Sequence, residues 1–254
     1  MASTVLVEFS GNIQIMTLNR PEARNAGTRE MAESMAAALD ALDDHPVAQV
    51  GIVTGAGGTF CSGMDLKGFL QGERPVVPGR GFCGLTQKPP RKPLIAAVEG
   101  HAVAGGFELA LACDLIVAAR TARFGLPEVK RALVAVGGGL LRLPKRLPYH
   151  VAMECILTGD ELSAERAHAH GLVNRLADHG QALPAALKLA EAVAANGPLA
   201  LAASKLVVQE SAAWPQAEMF ERQAVITGPV LSSQDAREGA TAFAEKRSPV
   251  WKGL

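Results

Sequence analysis

Glu108 and Glu128 each carry a carboxylate inside an apolar run, the first in GGFELALA (residues 105–112) and the second after Pro127 in FGLPEV (residues 124–129). A carboxylate so placed is either a helix-terminus charge or half of a salt bridge, or else a working acid or base whose pKa burial has raised. Two of them in one site divide general-acid and general-base work, because mutual repulsion keeps one proton shared between them. Gly105 and Gly106 open the Glu108 segment. At a helix start, unpaired N–H groups and the positive dipole end face an oxyanion, the alternative being a plain tight turn. A second glycine-rich loop, residues 57–63, runs into Met64 and Asp65. Neither loop reads GxxxxGK[ST] or GxGxxG, so nucleotide-binding folds drop out.

Other chemistry-bearing residues fit less well. His168 and His170 are two apart on an expected helix and point to different faces, a poor arrangement for a metal. Ser62 lies in FCSG (residues 60–63), which lacks the GxSxG elbow of a serine nucleophile. Lys88, Arg91 and Lys92 cluster among prolines, as either a solvated loop or a phosphate contact.

The elements that must position these groups read as an α/β protein. Residues 5–9 and 13–18 are strand-like on either side of the turn residues Ser10, Gly11 and Asn12, an opening hairpin. Thr28 is placed to cap a helix on which Met31, Met35, Leu39 and Leu42 recur at helical spacing. Short buried strands are expected at residues 50–54, 94–98, 115–119 and 172–176. Strand, glycine turn, helix and strand in succession over residues 94–119 favour parallel strands joined by a right-handed crossover. Residues 71–93, with five prolines and several glycines, are expected to be the least regular stretch. After residue 176 the pattern is almost wholly helical up to Lys246.

A chain of 254 residues with 48% hydrophobic content buries one large core. Its 25 Lys+Arg balance 25 Asp+Glu, so the overall field favours neither nucleic acid nor an anionic membrane, and an anionic ligand must be held locally. No apolar stretch approaches the roughly 20 residues of a membrane span. The start lacks the basic and apolar regions of a signal peptide. Four scattered cysteines with no CxxC pair read as reduced thiols, which places the protein in the cytoplasm.

Several motifs in fixed order resemble the enoyl-CoA hydratase (crotonase) family over nearly the whole length. They are NRPEARNA (19–26), FCSGMDL (60–66), AGGFELA (104–110) with Cys113 and Asp114, FGLPE (124–128), LTG (157–159) with GLV (171–173), and FAEKR (243–247). The resemblance implies a spiral of repeated β-β-α units, with a catalytic α/β core over residues 1–195 and a helical C-terminal region over 196–254 that makes homotrimers or dimers of trimers. It places the thioester oxyanion hole at the backbone N–H groups of Met64 and Gly105. The catalytic acids fall at Glu108 and Glu128, both glutamate in hydratases of the family. Ala23, Arg24, Ser62, Asp65, Leu66 and Lys67 fall near the coenzyme A moiety of an acyl-CoA substrate. Coenzyme A arrives as part of the substrate, so no separate cofactor is implied.

The chain departs from the usual hydratase pattern at a few positions. Gly27 stands for a common leucine and Glu99 for a frequent asparagine, while LVAVGGGLL (133–141) replaces a proline-containing glycine run and puts Val136 where glycine is often found. GFCGLT (81–86) and LRLPK (141–145) look more like the crotonobetainyl-CoA (carnitinyl-CoA) hydratase branch, which is the alternative expectation. That branch must hold a trimethylammonium group, and Phe82 is one of few aromatic faces available for it.

Overall fold

The computed structural model describes residues 3–254. Strands β1 (Val5–Ser10) and β2 (Ile13–Leu18) form the expected antiparallel hairpin. Thr28 caps α1 (Arg29–Asp44), its Oγ1 accepting from the Met31 N–H at 3.2 Å. β3 (Val50–Gly55), α2 (Leu66–Leu70), β4 (Val76–Val77) and β5 (Gly81–Phe82) follow. The central stretch is β6 (Leu94–Val98), β7 (His101–Val103), α3 (Gly105–Ala112), β8 (Leu115–Ala119) and β9 (Arg123–Gly125), leading into a 3-10 turn at Pro127–Arg131. After it come α4 (Gly139–Arg146), α5 (Tyr149–Thr158), β10 (Leu162–Ser163), α6 (Ala164–Ala169) and β11 (Arg175–Ala177). Four helices close the chain: α7 (Ala182–Ala194), α8 (Pro198–Glu210), α9 (Met219–Leu231) and α10 (Gln234–Glu245).

The main sheet runs β1-β2-β3-β6-β8-β11, with every pair after the hairpin parallel. Period-two alternation gives it two apolar faces, as a parallel sheet covered on both sides requires. Met16, Val53, Ala96, Ile116 and Ala118 face the larger core with α1 and α3, while Ile15, Ile52, Ile95 and Val117 face α7. Ala182, Ala186, Ala190 and Ala194 recur every fourth residue on α7 and are buried, so the helix lays a smooth stripe of methyl groups on the sheet. A second sheet, β10-β9-β7, is extended by an isolated parallel bridge from Ala102 to Cys61. This alternation of sheet strands, cross-layer strands and helices is the crotonase spiral.

Two expected elements differ. The strand placed at residues 172–176 begins later, because the Leu172 and Val173 N–H groups both donate to Ala167 O and close α6. Sheet pairing starts at Asn174, whose N–H donates to Ile116 O and whose Oδ1 accepts from the Ile116 N–H. Residues 71–93 contain the β4–β5 hairpin, tied to α1 by Arg80 Nη1 at 2.6 Å from Asp40 Oδ1.

The C-terminal helices touch the core through Lys205, whose Nζ lies 2.6 Å from Asp114 Oδ2 and donates to Lys92 O. Asp114 also accepts from the Leu94 N–H, so one carboxylate joins α8 to the start of β6. Val208, Phe220, Val225, Leu231 and Phe243 on α8, α9 and α10 are exposed. Among the described residues no helix is long and apolar enough to cross a membrane.

Candidate active site

Two segments of the spiral meet at the N-terminus of α3. Ala104 turns the chain from β7 into this helix at φ 53°, ψ −129°, a left-handed conformation unusual for a residue with a Cβ, and its N–H is pinned to Gly125 O at 2.9 Å. The next N–H, Gly105, is the first of the helix and finds no acceptor among the described residues. Met64 reaches the same place from the other segment. Its isolated bridge to Gly27 is made by the Gly27 N–H donating to Gly63 O and the Asp65 N–H donating to Gly27 O. That register skips Met64, whose N–H is likewise left without an acceptor among the described residues. A Cβ at Gly63 would stand 3.3 Å from Gly105 N, so the segments bearing the two free amides are in contact.

Glu108 sits one turn into α3 and is 3% exposed. Its Oε1 accepts from the Gly139 N–H at 2.9 Å, and Gly137 is packed so closely that a Cβ there would lie 2.4 Å from Oε2. Burial pushes the Glu108 pKa up to about 7. The Gly139 and Gly137 amides and the Arg142 cation pull against it, and the Glu128 charge adds to it. Glu128 is carried by the 3-10 turn, which Pro127 starts with its φ already set. Burial raises this pKa too, with Arg131 opposing, and Oε2 is enclosed without a hydrogen-bond partner among the described residues. A buried carboxylate oxygen with nothing to accept from is expensive unless it serves a ligand or water.

The residues expected around coenzyme A also come together beside Met64. Ala23 ends the 3-10 turn Pro21–Ala23, and exposed Arg24 follows it at φ 51°. The Ser62 N–H donates to Arg24 O at 3.0 Å, and Ser62 Oγ lies 3.5 Å from Ala23 O. Asp65 caps α2 by accepting from the Lys67 and Gly68 N–H groups, and it pairs with Arg20 at 3.0 Å. Although burial works the other way, those bonds hold the Asp65 carboxyl below its ordinary value. Leu66 and Lys67 are exposed on the first turn of α2. The basic cluster is employed elsewhere: Lys92 Nζ donates to Leu42 O and His45 O at the end of α1, and Arg91 pairs with Asp43 and Asp44. Lys92 and Arg91 thus anchor the end of α1.

Three contributors lie beyond the residues expected to do the chemistry, Phe82 among them having been expected only as an aromatic face for a trimethylammonium group. The Gly139 N–H holds Glu108, and the glycine run at residues 137–139 was the available signal for so close an approach. Phe82 lays its ring against Gly105 and Gly27, where a Cβ would lie 2.5 Å and 3.1 Å from ring carbons. This explains the departure at Gly27, since the ring and the Cys83 Sγ fill the room a leucine would need. Arg142 spans the space between, its Nη2 donating to Thr86 O at 2.6 Å and its Nη1 lying 3.5 Å from Gly137 O.

A buried carboxylate electrostatically coupled to a half-buried one, on a crotonase spiral that also leaves two amides free on contacting segments, is an arrangement able to stabilise an enolate-like oxyanion and to move protons. The chain belongs to the enoyl-CoA hydratase/isomerase family, whose pattern matches residues 8–254. It is 59% identical to the enoyl-CoA hydratase EchA1 of Mycobacterium marinum, with a TM-score of 0.98 over 99% of this chain and 100% of that one. It is also 44% identical to the enoyl-CoA hydratase EchA19 of Mycobacterium tuberculosis, over 96% of this chain and 94% of that one. With the carnitinyl-CoA dehydratase of Salmonella typhi it shares 43% identity over the full length of both.

Proposed function

We propose that the protein is an enoyl-CoA hydratase that reversibly adds water to a trans-2-enoyl-CoA, giving a 3-hydroxyacyl-CoA. The observation that carries this reading is the Glu108 carboxyl, buried, raised to about 7 and coupled to Glu128, on the helix that opens with the free Gly105 amide next to the segment bearing the free Met64 amide. Glu108 orients the water and takes its proton as the oxygen attacks C3. Electron density moves onto the thioester oxygen, where the two N–H groups receive it without reorganisation. Collapse of that enolate takes a proton at C2 from Glu128, and the proton that Glu108 took from the water passes on to Glu128 to restore the pair, so that one water in net supplies the hydroxyl at C3 and the hydrogen at C2. A pKa near the working pH suits a group that must give and take the same proton in the two directions.

Ala23, Arg24, Ser62, Asp65, Leu66 and Lys67 form the coenzyme A side of the cleft. The exposed apolar residues of α8, α9 and α10 fit a homotrimer or a dimer of trimers, and the reduced thiols fit a cytoplasmic enzyme. A second reading, hydration of crotonobetainyl-CoA, is favoured by the full-length similarity to the carnitinyl-CoA dehydratase. Against it, Val76, the register partner of Phe82, and Val136, next to Gly137, both expose apolar surface rather than carboxylates or aromatic faces.

Loss of the conjugated-thioester absorbance, followed with crotonyl-CoA, longer enoyl-CoAs and crotonobetainyl-CoA in parallel, tests both. Faster turnover of the trimethylammonium substrate would select the second reading. Tight acyl-CoA binding with no turnover anywhere in the panel would overturn both in favour of a binding protein.

A further inference from the structure

We infer that Arg142 is a positioning residue that locks the wall of the oxyanion hole to the turn holding Glu108, so that the enolate site and the water site keep one fixed spacing. The inference rests on the hydratase reading above. Its basis is a continuous path of contacts. Phe82 packs against Gly105, the residue whose N–H is free, and against Gly27, the bridge partner of Met64. The Phe82 N–H donates at 2.9 Å to the Oγ1 of Thr86, which is 1% exposed. The Thr86 carbonyl accepts from Arg142 Nη2 at 2.6 Å. From there Nη1 reaches toward Gly137 O, and the guanidinium packs so closely over Gly138 that a Cβ would stand 2.2 Å from it. Gly137 and Gly139 in turn confine the two oxygens of Glu108.

A guanidinium suits this place because its planar fork addresses two carbonyls at once, which a lysine ammonium on a single stem does not do. The charged groups that face Glu108 are Glu128 from the 3-10 turn and Arg142 from α4, and they act with opposite sign. Arg142 therefore contributes geometry and charge together, and the two separate by mutation. Arg142→Met removes both, whereas Arg142→Lys keeps the charge and loses the fork.

The test compares kcat, KM, melting temperature and pH profile for the wild type and both variants with crotonyl-CoA. A Glu108-specific titration by carbon-13 NMR of labelled glutamate, with Glu108→Gln for assignment, accompanies it. Arg142→Met should lower kcat by about 10–100-fold, the scale of a small misplacement of reacting groups, with a smaller change in KM. Its Glu108 titration and the rise of activity with pH should both move to higher pH. Arg142→Lys should restore the titration to near its wild-type position while recovering only part of kcat. If both variants lose melting temperature but keep kcat per folded molecule and the wild-type titration, Arg142 is merely structural and the inference is overturned. Should the wild type itself show no turnover, the hydratase reading fails. In that event an upward titration shift in Arg142→Met still supports the link to Glu108, and an unmoved one overturns it as well.

Discussion

Glu108→Gln keeps the shape of the side chain and an Oε1 able to accept from the Gly139 N–H, while removing the charge. Its effect on stability follows from the rise of the Glu108 pKa from 4.5 to about 7. Below pH 4.5 the carboxyl is neutral in both folded and unfolded chains and contributes nothing. Between pH 4.5 and 7 the unfolded chain has already released a proton that the folded chain retains, so stability falls as pH rises. Above pH 7 the folded state bears the full cost, roughly 3 kcal/mol at about 1.4 kcal/mol per tenfold change in proton affinity. Glutamine escapes that cost, less whatever its unpaired amide N–H adds, so the variant should be more stable at pH 8 by about 1–3 kcal/mol. Near pH 5 the two proteins should differ little. Urea unfolding at both pH values, at one fixed protein concentration because subunit association also stabilises, measures the difference. Turnover at pH 8 should meanwhile fall by roughly 10²–10⁴. A variant less stable than the wild type by the same amount at both pH values would refute the reasoning, since the carboxylate would then be a structural partner instead of a strained catalytic one.

Three further outcomes are expected. Glu128→Gln should also cost roughly 10²–10⁴ in kcat, and the double variant should be little worse than the poorer single one, because groups sharing one step fail together; multiplicative losses would show independent roles. Gly137→Ala would place a methyl 2.4 Å from Glu108 Oε2. It should lower kcat by about 10²-fold through displacement of the carboxylate with acyl-CoA affinity largely kept, and normal turnover would show that the contact is slack. Sedimentation should give a trimer or hexamer at micromolar concentration, and a charged substitution at Phe220, which is 84% exposed in the single chain, should weaken the assembly; a stable wild-type monomer removes this assignment.

Where local pattern and tertiary demand agree, the fold was legible in the residues. The hairpin, the Thr28 cap, β6, α3 and β8 follow from apolar spacing and turn chemistry, and each forms within a residue or so of where that spacing puts it. The short strands β4, β5, β7, β9 and β10 were not legible, because two or three residues give no period to read; β7, β9 and β10 are strands only through partners distant in sequence, and β4 and β5 only through each other across a short turn. Leu172 and Val173 misled for a related reason, their apolar side chains being buried while their amides end a helix. The site divides in the same way. Glu108 and Glu128 announce themselves as carboxylates out of place, but the free N–H of Met64 depends on a bridge register with Gly27 that no local pattern encodes. Arg142 carries no signature of its own, since an arginine on a helix is ordinary until the backbone beside it lacks side chains, and Phe82 stands out only as a scarce aromatic face, not as the wall against Gly105.

The alanine stripe of α7 has a consequence for synthesis of the protein. The face bearing Ile15, Ile52, Ile95 and Val117 is assembled from strands made early and is covered by a helix that ends only at Ala194. Until the ribosome has released that segment, the growing chain carries an apolar sheet face with no lid, and at about 5–20 residues per second that interval lasts for several seconds. The nascent protein is thus most exposed to aggregation after β8 and before α7, so a chaperone acting on this chain has its natural window there, and truncations that end before residue 182 leave the same face permanently open.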